Sequence, residues 1–150
     1  MKILNLYKWI AGSMADFTNQ FKNNESLYNQ AKAYWDKLDS LSAIIFIILV
    51  VLGIAMAYIY YQPYNNKPGR HYHPRHWFYF LLATIILTFL VTWGFEYLAI
   101  PPKIKGSGGI LLRIAFCNAI YSLIPYIIIS IIWCYIFPTN AYRLFKFNKK

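Results

Sequence analysis

All three histidines of the 150-residue chain fall in one stretch, Arg70-His71-Tyr72-His73-Pro74-Arg75-His76-Trp77. A His-x-His pair with a third histidine close behind is a donor set for zinc or copper. The flanking chemistry opposes that use, because the Arg70 and Arg75 guanidinium groups repel a cation and neither a carboxylate nor a thiol stands nearby. The same residues suit a loop at headgroup level, with Arg70 and Arg75 on lipid phosphate and Tyr72, Trp77 and Tyr79 as interfacial anchors. No metal site and no cofactor are expected, and histidines confined to one connector cannot clamp a haem from two helices. No catalytic residues are expected either. Asp16, Asp36 and Asp39 are the only aspartates and stand far from the histidines, so no Ser/His/Asp set converges. The Gly-Ser-Gly-Gly run at 106–109 reads as a turn, not as a phosphate-binding loop.

Two more ionisable residues, Glu96 and Arg113, lie within apolar stretches. They flank a Pro/Gly-rich connector at similar depth, which predicts an ion pair between antiparallel helices. The same register sets Thr92 opposite Asn118 and Thr88 opposite Ser122. Thr84, Thr88, Thr92 and Glu96 recur every fourth residue and share one helical face. A polar seam gluing the two helices follows, each interhelical bond worth about 0.6–2 kcal/mol. Arg113 stands about 140° around its helix from Asn118, so it has to reach sideways to join the seam. The functional alternatives for Glu96 are an ion pathway or pairing with another subunit. Its place near the interface, away from the midplane, argues against the pathway. Gly53 and Ala57 form a small-xxx-small pair, a possible helix contact.

These groups need elements to hold them, and composition says which. Hydrophobic residues are 59% of the chain and charged residues 13%, against roughly 45–50% and about 25% in soluble domains. A soluble domain of this size still exposes roughly a third of its unfolded surface. That excludes a soluble globule, a disordered chain and a disulfide scaffold. The expected fold is all-α, a polytopic integral membrane protein with three transmembrane helices and an N-terminal amphipathic helix. The spans are set at about 42–61, 77–99 and 110–137, between an amphipathic arm over 1–41 and a basic tail over 139–150. The connector Ile100–Gly109 combines helix-stopping prolines with permissive glycines. The last span is overlong at roughly 42 Å of helical rise, with Pro125 as its bend. Alternating ten-residue segments are missing, which excludes a β-barrel. Cys117 and Cys134 lie on that same span, too far apart to pair.

The arm has its own period. Ile3, Tyr7, Ile10, Met14, Phe17, Phe21, Asn24, Tyr28, Ala31, Trp35 and Leu38 step by four and three, a heptad seam with one polar position. It reads either as a helix lying on the bilayer or on the chain's own spans, or as a docking seam (Ile10, Met14, Phe17, Phe21, Tyr28 and Trp35) for another subunit or a second copy. A break is expected near Asn23–Ser26, and nothing from Leu27 to Ser42 prevents the helix from running into the first span. A cleaved signal peptide is not expected, since Asn5 and Lys8 interrupt any apolar core.

The net charge is +10. In a membrane protein such an excess reflects loop orientation and anionic lipid, with Arg70, Arg75, Arg143 and Lys146 as lipid-phosphate or partner contacts; no nucleic-acid motif is present. Basic residues of the first connector and the tail slightly outnumber those near the spans on the other side, which predicts a cytoplasmic C-terminus. The expected role is that of a non-catalytic subunit of a multiprotein bacterial envelope complex in the inner membrane, a secretion or injection machine or a respiratory or transport assembly. Its partners would be the bilayer, including anionic lipid, and other membrane subunits or copies of itself. The alternatives are a self-assembling pore-former similar in outline to phage holins, or a small channel or transporter subunit.

Overall fold

The computed structural model describes residues 3–65, 67, 74–101, 103–137 and 145. Of these, 87% are helical and none lies in a strand. Among the described residues, three helices are long and apolar enough to cross a bilayer: Glu25–Tyr64, Pro74–Ala99 and Ser107–Ile136. The chain is an all-α polytopic membrane protein.

The arm is a string of short pieces, not one continuous heptad helix. A 3-10 turn at Ile3–Tyr7 leads into α1 (Lys8–Ala11), α2 (Met14–Thr18) and a second 3-10 turn at Asn19–Phe21. Gly12 separates α1 from α2 at φ +83°, a left-handed conformation that L side chains avoid. Ser13 then starts α2 with a reciprocal cap: its hydroxyl accepts from the Asp16 amide at 3.2 Å, and its own amide donates to Asp16 Oδ2 at 2.9 Å.

Asn24 caps the next helix, its Oδ1 accepting from the Leu27 amide at 3.2 Å. That helix, α3 (Glu25–Ile59), runs 35 residues without a break, as the chain from Leu27 to Ser42 allows. At about 52 Å it exceeds a hydrocarbon core of roughly 30 Å. A π-helical turn at Tyr60–Tyr64, containing Pro63, ends it; proline has no amide hydrogen to continue the α pattern.

The second span is α4 (Pro74–Ala99). The third is broken into α5 (Ser107–Tyr121) and α6 (Leu123–Ile136), with Ser122 at the break. Pro125 explains the position: proline has no N–H to continue the helical hydrogen-bond pattern to the carbonyl four residues earlier. The break therefore falls three residues before the proline that sequence marks as the bend.

Contacts divide the chain into two compact units, Met1–Ile48 with Phe89–Asn118, and Leu49–Thr88 with Ala119–Lys150. In the first, the arm folds onto the chain's own helices. Phe17 lies 6.1 Å from both Tyr34 and Trp35 by ring centroid and 5.7 Å from Phe21. Tyr7, Ala31, Leu38 and Ile45 complete this buried core.

The second unit has an aromatic core of Tyr60, Tyr61, Trp77 and Tyr126 around Ala57 and Cys134. Tyr61 stacks on Trp133 with centroids 5.9 Å apart. Trp77 Nε1 donates to Ser130 Oγ at 3.2 Å, and Tyr126 Oη donates to the Trp77 carbonyl at 3.2 Å. Trp77 is thus a buried core residue and not the headgroup anchor its position suggests, whereas Tyr79 is exposed. Gly53 is where α3 meets the broken third span. A Cβ there would stand 2.6 Å from Pro125 Cγ and 2.8 Å from the Ser122 carbonyl oxygen.

Candidate functional site

The polar groups of the spans centre on Asn118, which is fully buried on α5. Its Oδ1 accepts from Tyr7 Oη at 2.7 Å. Its Nδ2 donates to Thr92 Oγ1 and to the Ile45 carbonyl, both at 2.9 Å. Both amide hydrogens are used and the oxygen is occupied, so a single side chain ties the arm, α3, α4 and α5 together. The Thr92 bond is the rung that the antiparallel register predicts. Tyr7 and the Ile45 carbonyl are not foreseen as its partners. A tyrosine at an apolar seam position was the one available hint of the first, and a backbone acceptor leaves no trace in side-chain pattern.

The other expected rungs do not form. Thr84 Oγ1 donates to the Phe80 carbonyl at 2.7 Å and Ser122 Oγ to the Ala119 carbonyl at 2.7 Å, each within its own stretch of chain. Thr88 Oγ1 is buried without a partner. A hydroxyl can satisfy itself on a carbonyl one turn back, whereas an amide with two hydrogens and a carbonyl must look outward. The seam is therefore one strong knot and not a ladder.

The expected ion pair is also absent. Glu96 is fully buried, and neither of its carboxylate oxygens has a hydrogen-bond partner. Arg113 is exposed and lines a cavity with Asp16, Phe17 and Gln20. Position along the chain sets the two at one depth, but the turn of about 140° from Asn118 directs Arg113 away from the face that Glu96 shares with Thr92.

Tyr34 of α3 and Ser107 at the start of α5 are also buried. Ser107 Oγ donates to the Ile104 carbonyl at 2.6 Å. Tyr34 Oη itself is buried and outside hydrogen-bonding geometry. Tyr34 borders a cavity of about 310 Å³ walled also by Lys37, Ile100, Pro101, Lys103 and Ile104. The side-chain amide of Asn65, after the π turn, is likewise buried without a partner.

The chain matches no protein-family model, no curated protein and no solved structure.

The remaining sequence candidates are dispersed. Of the docking seam, Phe17 and Trp35 are buried against each other, while Ile10, Met14, Phe21 and Tyr28 are half-buried. Arg75 is exposed in the first turn of α4, and His76 is half-buried with its ring 6.0 Å from that of Tyr64. Arg70, His71, Tyr72, His73, Arg143 and Lys146 lie outside the described residues. Among the described residues, no three His, Cys, Asp or Glu side chains converge as a metal-binding group. Cys117 and Cys134 are free and buried, the latter 3.4 Å from Tyr61 Oη.

Proposed function

We propose that the chain is a non-catalytic membrane subunit that anchors and docks partner proteins within a bacterial envelope assembly of the inner membrane, of the secretion or the respiratory and transport kind. The observation that carries this reading is the use of the polar side chains within the spans. Asn118 is saturated by Tyr7, Ile45 and Thr92, Trp77 is paired with Ser130, and Thr84 and Ser122 bond locally. Polar groups used this way hold helices in place and do not line a water-filled path. The outward side chains include Ile47, Val51, Leu82, Ile86, Leu90 and Phe116, a surface suited to lipid and to other apolar helices. Anionic lipid on the basic connector and tail, and a cytoplasmic C-terminus, belong to the same reading.

Purification of the full chain from its native membrane in mild detergent tests it. A fixed set of co-purifying membrane proteins is the expected result. A monodisperse monomer with no companion overturns the reading. Conductance in planar bilayers by the chain alone favours the pore-forming alternative instead.

A further inference from the structure

Arg113 is a cation inside an apolar span, and the fold supplies no anion to receive it. Ile114 and Ala115 beside it are buried, whereas Arg113 faces outward. Among the described residues its guanidinium has neither a hydrogen bond nor an ion pair. It stands six residues, about 9 Å, from the start of α5. A guanidinium at that depth needs water or an anion at the headgroup level.

Arg113 lines a cavity of about 330 Å³ between the arm and the start of α5. That is the small end of ligand pockets, which run to about 300–1,000 Å³, and it suits a lipid headgroup. Phe17 and Ile110, both buried, are the apolar part of the wall, and Asp16 and Gln20 join Arg113 as its polar part. Gly12, Gly106 and Gly109 complete it, and a Cβ at either of the last two would meet nothing within 4 Å. All these residues belong to one compact unit.

The wall carries two opposite charges that do not pair with each other. Ser13 donates to Asp16 Oδ2 from its amide at 2.9 Å and from its hydroxyl at 2.6 Å, which leaves Oδ1 for another donor. Lys8 stands with Asp36 and Asp39 in the wall of a neighbouring cavity and is not part of this one. A simple anion here would meet the Asp16 carboxylate, and a simple cation would meet Arg113. A ligand with both charges on one short frame satisfies the two together. Phe116, one turn further along the same face of α5, is exposed and offers an acyl chain its track.

We propose that this cavity holds the headgroup of a zwitterionic phospholipid bearing a primary ammonium, with its phosphate on Arg113 and its ammonium on Asp16. The site is separate from the basic connector and tail, and it does not rest on the docking role proposed above.

The full chain, purified in mild detergent and stripped of lipid, is titrated with phosphatidylethanolamine, phosphatidylcholine and phosphatidylglycerol of one acyl composition. Retained lipid is read by native mass spectrometry. Phosphatidylethanolamine is expected to be retained several-fold more than either of the others, since the choline nitrogen has no N–H to donate and the glycerol headgroup has no cation. Equal retention of all three overturns the proposal. Preference for phosphatidylglycerol overturns it in favour of an anionic headgroup, and equal retention of the ethanolamine and choline lipids overturns the ammonium–Asp16 bond. Arg113→Gln is expected to lower phosphatidylethanolamine retention several-fold and Arg75→Gln to leave it unchanged; no loss in the first, or equal loss in both, overturns the placement. Asp16→Asn is expected to abolish the preference for phosphatidylethanolamine over phosphatidylglycerol, and a preserved preference overturns the role of Asp16. None of these outcomes depends on whether partner proteins co-purify.

Discussion

Asn118 on α5 donates to Thr92 on α4 at 2.9 Å while accepting from Tyr7 of the arm at 2.7 Å. One amide thus bridges a pair of neighbouring spans and a segment 111 positions away. Its replacement by alanine strands the Thr92 and Tyr7 hydroxyls in a buried site. Asn118→Ala is expected to destabilise the chain by about 1–3 kcal/mol, and Tyr7→Phe by about 0.5–1.5 kcal/mol. Denaturation in mixed micelles gives both values, and the double mutant should fall short of their sum because the two residues share a bond.

Gly53 and Gly94 make a matched pair of tests. A Cβ at Gly53 runs into Pro125 and the Ser122 carbonyl, whereas one at Gly94 meets nothing within 4 Å. Gly53→Ala should cost about 1–3 kcal/mol from overpacking. Gly94→Ala should be neutral or stabilising by up to about 1 kcal/mol through helix propensity. Thermal melts of the two variants in one detergent decide between these outcomes.

The arm carries a pH response of its own. Hydrogen bonds from the Ser13 hydroxyl and amide, helped by Lys8, hold the exposed Asp16 carboxyl below the ordinary carboxylate range. A group lowered by folding adds stability that is present above its unfolded value and is lost as pH falls through its folded value. Hydrogen exchange in Met14–Thr18 should therefore speed up on acidification below the ordinary aspartate range, and Asp16→Asn should remove that response.

Arg113 offers a test of the missing ion pair. Exposed and directed away from Glu96, it should tolerate Arg113→Gln within about 0.5 kcal/mol. A loss of several kcal/mol, recovered when Glu96→Gln is added, would instead reveal a coupling between the two residues.

Much of the architecture was readable because hydrocarbon imposes a simple code. Apolar runs marked the spans, uninterrupted chain from Leu27 to Ser42 left the arm free to run on into α3, and Pro125 marked the region of the break. The Thr92–Asn118 bond was readable because hairpin register is a local property, set by a short connector. Tyr7 was not readable as a partner of Asn118, since no periodicity reports which distant segment a folded arm will reach. Glu96 and Arg113 show the converse error: distance along the chain gives depth, but an ion pair also requires the right angle about the helix axis. Trp77 shows that an aromatic residue at the start of a span serves lipid or core equally well on pattern alone, and that Ser130 and Tyr126 settled its use.

The Tyr7–Asn118 bond also has a consequence for biogenesis. Tyr7 is translated 111 positions ahead of its acceptor, so at about 5–20 residues per second the nascent arm waits roughly 6–22 s before that acceptor exists. Phe17 can meet Tyr34 and Trp35 soon after synthesis, whereas throughout that interval Tyr7 is without its Asn118 acceptor. A pause by the ribosome between the two positions would extend this period, so a bond that anchors the arm is one of the later ones to close.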